Sequence, residues 1–155
     1  MPRELDEIDK KVLRYLQNDA GLSNKVLADL VGLSPSPCLR RVKGLEREGV
    51  IQGYYARLDK AAVDLTLVIF TRVTLDRQDK SGVESFAERI SRVPEVLECY
   101  PMAGSYDYLL KVAARDLDDY QRFQMQHLTP MPGVRNVVTE IPLRIVQSTS
   151  VLPVY

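Results

Sequence analysis

The chain has 155 residues, of which 45% are hydrophobic and 27% charged, and its formal net charge is zero. These values are typical of an ordinary globular protein. The sequence has no apolar run of ~18 residues, so we expect no membrane-spanning helix. The first residues lack the apolar segment of a secretory signal and the two cysteines, Cys38 and Cys99, lie far apart, so we expect a reduced, cytoplasmic protein.

Positive charge is concentrated locally rather than spread over the chain. Residues 1–60 hold 11 Lys and Arg against 9 Asp and Glu, whereas residues 61–155 hold 10 against 12. Between Gly32 and Leu45 there are three basic residues and no acidic one. Such a local patch suits a protein that binds DNA by placing several copies of one basic surface on the same duplex.

Three helices are predicted before residue 50. Apolar residues recur with helical period over residues 5–18. Ser23 can cap a second helix, and Gly32 is expected to end it because glycine readily adopts the left-handed conformation of a helix terminus. A third helix is expected from Ser34 to Glu48, since Ser34-Pro35 and Ser36-Pro37 are both typical of a helix start.

The third helix has an apolar side and a basic side. Leu39, Val42 and Leu45 are predicted to face inward, which leaves the following residues outward or at the edge: Ser36, Pro37, Arg40, Arg41, Lys43 and Arg47. Short polar and basic side chains at the start of the second helix of a helix-turn-helix can read bases in the major groove. A merely solvated helix face is the alternative, although such faces usually mix both signs of charge.

The second half alternates strands with helices. We predict, in order, a strand at 65–75, a helix at 79–93, strands at 96–102 and 108–114, a helix at 117–128 and a strand at 134–145. This βαββαβ order is that of a ferredoxin-like fold. Because residues 50–58 are expected to form a short strand pair or wing, the prediction is an α+β protein with domains at 1–58 and 66–155 and a linker at 59–65.

Four runs of this sequence resemble the Lrp/AsnC family of leucine-responsive and asparagine-responsive transcription regulators: LDEIDKKVLRYLQND, SNKVLADLVGLSPSPCLRRVKGLEREGVIQGYYARLD, VLECYPMAGSYDYLLKV and LTPMPGVRNVVTEIPL. The resemblance implies a winged helix-turn-helix domain followed by a ferredoxin-like effector-binding and dimerisation domain. It also implies homodimers that assemble into octamers on double-stranded DNA. The implied DNA-contact residues are Ser34, Ser36, Pro37, Arg40, Arg41 and Lys43.

The turn between the two middle strands is a candidate ligand site. By itself it reads as an ordinary polar hairpin loop. The family resemblance implies that turn amides and an aspartate hold an amino-acid effector there, and the corresponding residues are Met102, Gly104, Ser105, Tyr106, Asp107 and Tyr108. Relatives often have an acidic residue where this chain has Ser105, so the identity of the effector does not carry over.

We predict no catalytic or metal site and no cofactor other than the effector. The single histidine, His127, lies on the apolar side of a predicted helix and is expected to be packed, and the two cysteines lack the paired spacing of a metal site. Three functions remain to be compared: a ligand-responsive DNA-binding regulator, an architectural DNA-binding protein without an effector, and an enzyme or metabolite-binding module. The third is disfavoured because no catalytic constellation is recognisable.

Overall fold

A computed structural model describes residues 4–76 and 80–155, and its contacts divide the chain into two compact units. The three-helix unit contains residues up to Arg57 together with the tail Gln147–Tyr155, and the sheet unit is Leu58–Val146. The boundaries expected from the sequence place this tail with the second domain instead. The first three residues, and Asp79 where a helix was expected to begin, lie outside the described residues.

The three-helix unit contains α1 (Glu7–Asn18), α2 (Asn24–Val31) and α3 (Pro35–Arg47). Asp6 caps α1 by accepting a hydrogen bond from the amide of Asp9, and Ser23 caps α2 by accepting one from the amide of Val26. Gly32 ends α2 with a φ of 75°, in the left-handed region that favours glycine. The three predicted helices are confirmed.

One hydrophobic core holds these helices together. Its buried residues are Val12, Leu13, Leu27, Ala28, Val31, Cys38, Val42 and Leu45. The prediction that Leu39 faces inward is wrong, because this side chain is 47% exposed. Cys38, Val42 and Leu45 define the buried side of α3, and each residue turns about 100° around a helix, so Leu39 lies on the flank.

The predicted strand pair at 50–58 is not formed. Residues 52–59 have no regular secondary structure, since a strand needs a partner with which to exchange backbone hydrogen bonds. Tyr54 instead donates a side-chain hydrogen bond of 2.9 Å to Glu46 of α3. Residues 50–55, α1 and the tail line a cavity of about 670 Å³ within this unit.

The sheet unit has four antiparallel strands in the order β2-β3-β1-β4: β1 (Leu67–Leu75), β2 (Val96–Pro101), β3 (Tyr108–Ala114) and β4 (Val134–Glu140). Helix α4 (Lys80–Ile90) follows β1, and α5 (Leu117–Phe123) follows β3 and continues as a π-helical turn, Gln124–Leu128. The predicted βαββαβ order is confirmed. Strand β4 ends earlier than expected, and Pro142, which cannot donate to a ladder, lies just beyond it.

Both helices pack on one face of this sheet. Phe86 and Ile90 of α4 share a core with Tyr120 and Phe123 of α5 and with the buried residues of β1 and β3. The hydroxyl of Tyr120 lies 2.9 Å from those of Thr71 and Thr139, so it links the helix to two strands. The other face is less covered, and it presents Leu97, Tyr100 and Val138.

Among the residues described, none of the helices is both long enough and apolar enough to cross a lipid bilayer.

Candidate nucleic-acid interface and effector turn

The start of α3 exposes two serines between prolines. Ser34 is the N-cap residue, and its side chain makes no capping hydrogen bond. Pro35 and Pro37 occupy the first and third helical positions and have no backbone N–H, so the capping donor that Ser34 could otherwise meet at the third position is missing. Ser34 and Ser36 are both exposed. Their hydroxyls therefore lie at the end of the helix that enters the DNA groove in helix-turn-helix proteins.

A hydrogen bond from α2 holds this helix start in place. The side-chain amide of Asn24 donates to the backbone oxygen of Pro35 at 2.8 Å. Asn24 is the first residue of α2, so the bond joins the beginnings of the two helices. Sequence reasoning missed this role, because the partner of Asn24 is a backbone atom 11 residues away.

The outward face of α3 carries exposed cations at helical spacing. Ser36, Arg40, Lys43 and Arg47 are all exposed and follow one another at intervals of three or four residues. Lys43 forms an ion pair of 2.9 Å with Glu46. Arg40 forms no ion pair with any residue in the ranges 4–76 and 80–155, so its guanidinium is available on this face.

Arg41 does not share that face. Its guanidinium points to α1, where Nη1 donates to Asp6 Oδ2 at 2.6 Å and to Asp9 Oδ1 at 2.9 Å. The side chain of Asp9 is fully buried, whereas that of Arg41 is 28% exposed. The sequence predicts an outward pair of arginines, but the structure divides them between the two sides.

The hydrogen bonds of this cluster stabilise the ionised forms of Asp6 and Arg41. The pKa of Asp6 is lowered, first by the hydrogen bond from the amide of Asp9 and then by the bond from Arg41. The pKa of Arg41 is raised by its bonds to Asp6 and Asp9. A signal for this cluster was present in the sequence, since Asp9 lies three residues before the core residue Val12 on the inner side of α1.

In the sheet unit, Asp107 ties the candidate effector turn to β1. Its carboxylate Oδ2 accepts a hydrogen bond from the amide of Leu75 at 2.7 Å, and its own amide donates to the oxygen of Val73 at 2.9 Å. The amide of Met102 donates to the oxygen of Asp107 at 2.8 Å and closes the turn. Asp107 therefore shapes the turn, whatever else it binds.

The other predicted effector residues divide into two groups. Met102, Gly104 and Ser105 are exposed at the turn, and the ring of Tyr106 lies beneath the Arg72 guanidinium, 5.4 Å from its centre. Tyr108 is separate, because its ring is buried against Phe86 with centroids 4.6 Å apart. The structure thus brings five of the six residues to one turn and places the side chain of the sixth in the core.

The described part of the chain does not bring together side chains typical of a metal site. Among the residues that the structure describes, no group of three or more His, Cys, Asp or Glu could hold an ion. His127 packs near the ring of Phe123, with centroids 5.6 Å apart.

Two family models match successive parts of the chain. A model described as a winged helix-turn-helix DNA-binding domain matches residues 5–52, and a model of the Lrp/AsnC ligand binding domain matches residues 68–152. The Bkd operon transcriptional regulator of Pseudomonas aeruginosa is 43% identical over 97% of this chain and 98% of its own length. The leucine-responsive regulatory protein of Escherichia coli is 38% identical over 96% of this chain and 90% of its own length.

Solved structures resemble this one over almost the whole chain. A transcriptional regulator from Neisseria meningitidis in complex with L-Met has a TM-score of 0.92 and 38% identity, with 97% of each chain covered. An AsnC family transcriptional regulator from Agrobacterium tumefaciens has a TM-score of 0.91 and 34% identity, with 96% of each chain covered.

Proposed function

This chain belongs to the Lrp/AsnC family of DNA-binding transcription regulators, which are not enzymes, and from that premise we propose that α3 reads specific DNA sequences under the control of an amino-acid effector. The observation that carries the proposal is the outward face of α3, where exposed serines precede an exposed arginine without an ion-pair partner among the described residues. A regulator of DNA acts where the chromosome is, so we place it in the cytoplasm.

Five residues are proposed to contact double-stranded DNA directly. Ser34 and Ser36 offer hydroxyls to base edges or phosphates, and Pro37 lies at the same helix end. Arg40 can bond two acceptors of a guanine or a phosphate. Lys43 must exchange Glu46 for a phosphate, which costs little because an exposed ion pair contributes only about 0–1 kcal/mol.

The effector site is proposed at the turn from Met102 to Asp107. Backbone amides of Gly104, Ser105 and Tyr106 would meet the carboxylate of an amino acid, and Asp107 would bind its ammonium group. A carboxylate has about four lone-pair sites, so Asp107 can accept a further donor while it keeps the bond from Leu75. The L-Met complex of the Neisseria meningitidis protein supports an amino acid as the class of ligand.

A homodimer that assembles further, as an octamer, completes the proposal. The less covered face of the sheet is a surface that a second copy can bury, because it carries Leu97, Tyr100 and Val138 in the solvent. A dimer presents two copies of α3 to one duplex. An effector that binds one assembly state more tightly than another shifts that equilibrium and thereby changes the occupancy of DNA.

One observation favours a second candidate function. Because Asp107 already holds the amide of Leu75, the turn has a structural role that needs no ligand. An architectural DNA-binding protein without an effector would have the same turn.

Two measurements separate these functions. Genomic fragments that the purified protein retains are selected with and without a pool of the twenty amino acids, and each amino acid is tested for thermal stabilisation of the protein. A regulator is expected to select a limited set of fragments, to change that selection with the pool, and to be stabilised by at least one amino acid. Fragment selection without any amino-acid effect would support the architectural function, and no fragment selection at low salt would contradict both.

A further inference from the structure

Arg41 and Arg40 are neighbours in sequence with opposite surroundings. We propose that Arg41 is a positioning residue for DNA recognition, which sets the rotation of α3 against α1 and does not itself touch DNA. This inference rests on the proposed function of α3 as the DNA-reading helix.

The geometry around Arg41 joins three points of the helical framework. Asp6 uses one carboxylate oxygen to cap α1 and the other to accept from Arg41 at 2.6 Å. Asp9, in the first turn of the same helix, accepts from the same guanidinium nitrogen at 2.9 Å. Arg41 therefore fixes the middle of α3 to the beginning of α1.

A second attachment lies near the beginning of α3. Asn24 of α2 donates to the backbone oxygen of Pro35. With one attachment at its start and one about two turns later, α3 is fixed in both tilt and rotation about its axis. The rotation decides which side chains, among them Ser36 and Arg40, point away from the core.

Removing Arg41 from its partners would be costly. Removing the cationic partner of a carboxylate as fully buried as that of Asp9 strongly destabilises the folded protein. A DNA phosphate offers an arginine no more than the two carboxylates already provide. Arg40, one position earlier, has no carboxylate partner among the residues that the structure describes. The inference therefore assigns phosphate or base contact to Arg40 and positioning to Arg41.

The test compares three variants of the full chain, Arg40→Gln, Arg41→Gln and Asp6→Asn. Asparagine keeps one oxygen for the capping hydrogen bond, so α1 should still begin there. Its NH2 group takes the place of the oxygen that accepts from Arg41, so both the charge and that hydrogen bond are lost. Binding is measured by fluorescence anisotropy on a selected genomic fragment and on a scrambled duplex of equal composition, each over a series of KCl concentrations. Circular dichroism and thermal unfolding verify the fold of each variant.

A residue that contacts DNA and a residue that positions α3 should give different results. For Arg40→Gln, the slope of log affinity against log salt should decrease by about one for each bound recognition helix. For Arg41→Gln, the slope should be unchanged on the scrambled duplex, while the preference for the selected fragment falls by about tenfold. Asp6→Asn should lower the same preference to a smaller extent.

A direct contact by Arg41 would be shown by a reduced salt slope in Arg41→Gln, and by tighter binding to the selected fragment in Asp6→Asn, where the arginine is released from one carboxylate. Either result would overturn the inference. If Arg41→Gln does not fold, the direction of the change in Asp6→Asn decides the question. Absence of DNA binding by the unmodified protein would contradict the proposed function itself and is distinguishable from these outcomes.

Discussion

Gln17 and Leu152 lie 135 positions apart in the chain and hold each other by two hydrogen bonds. The side-chain amide of Gln17 donates to the backbone oxygen of Leu152 at 3.1 Å, and its side-chain oxygen accepts from the amide of Leu152 at 2.7 Å. Val154, two residues further, packs against the core of the three helices. The chain therefore leaves the three-helix unit at residue 57 and returns to it with its last nine residues.

Replacing Gln17 should loosen this tail. Gln17→Ala removes both hydrogen bonds to Leu152, and because the site is exposed we expect a loss of about 0.5–1.5 kcal/mol in the free energy of unfolding. Limited proteolysis should also cut residues 147–155 faster. Gln121→Ala, an exposed glutamine of α5, is the matched control and should change neither measurement. A tail equally resistant in both variants would show that packing contacts such as that of Val154, and not the hydrogen bonds of Gln17, hold it.

Releasing Lys43 should strengthen DNA binding. Glu46→Gln removes the carboxylate that pairs with Lys43 at 2.9 Å and keeps an oxygen for the hydroxyl of Tyr54. The affinity for a selected genomic fragment, measured by anisotropy at low salt, is expected to rise about two- to fivefold, which corresponds to the usual range for an exposed ion pair. Glu88→Gln, which breaks an equivalent exposed pair with Arg92 in the sheet unit, should leave the affinity unchanged. Weaker binding by Glu46→Gln would argue that the pair orients Lys43 for contact.

Two substitutions of Asp107 should separate the role of its charge from that of its hydrogen bond with the amide of Leu75. Asp107→Asn keeps an oxygen that can accept from the amide of Leu75 and removes the charge proposed to bind an ammonium group. We expect its thermal stability to be retained and its stabilisation by an amino acid to be lost. Asp107→Ala loses the oxygen as well, so it should also melt earlier, because the amide of Leu75 is left without this partner. A full amino-acid response in Asp107→Asn would contradict the role of the charge.

Stability should fall at high pH through Tyr54. Desolvation of its phenol and, second, its hydrogen bond to Glu46 raise its pKa from the ordinary value of 10.0 to about 12. A raised pKa of this kind contributes stability below pH 10.0 that is lost as the pH rises toward about 12. Tyr54→Phe lacks this titration, so the difference in unfolding free energy between the unmodified protein and Tyr54→Phe should shrink over that range. A constant difference would mean that the phenol titrates alike in the folded and unfolded chains.

The helices and the βαββαβ order of elements along the chain could be predicted because their signals are local. Ser23 and Gly32 mark the ends of α2 by their own chemistry, and the alternation of β1 needs no knowledge of its partners. Residues 50–58 could not be predicted in the same way, because a β-prone segment forms a strand only when another strand is available. The position of the tail depends on a contact between residues 17 and 152, which no local pattern contains.

The candidate DNA interface was predictable in outline and not in detail. Arg40 and Arg41 have the same chemistry and are adjacent, so a prediction from composition and charge assigns DNA contact to both. Their separation follows from a helical turn of about 100° per residue and from the position of Asp9 on another helix. Leu39 was misplaced for a related reason, since the buried side of a helix is decided by its neighbours.

Pro35 and Pro37 have a consequence for the strength of DNA binding. Each ring fixes φ near −65°, which is already the helical value. The proposed DNA-reading end of α3 is thus preorganised and should give up little backbone entropy on entering a groove, whereas a frayed helix end would lose about 1–2 kcal/mol for each residue that it ordered. The same rings remove two backbone donors that a phosphate could otherwise use, so we expect side chains to supply more of the affinity at this end than at a helix start without prolines.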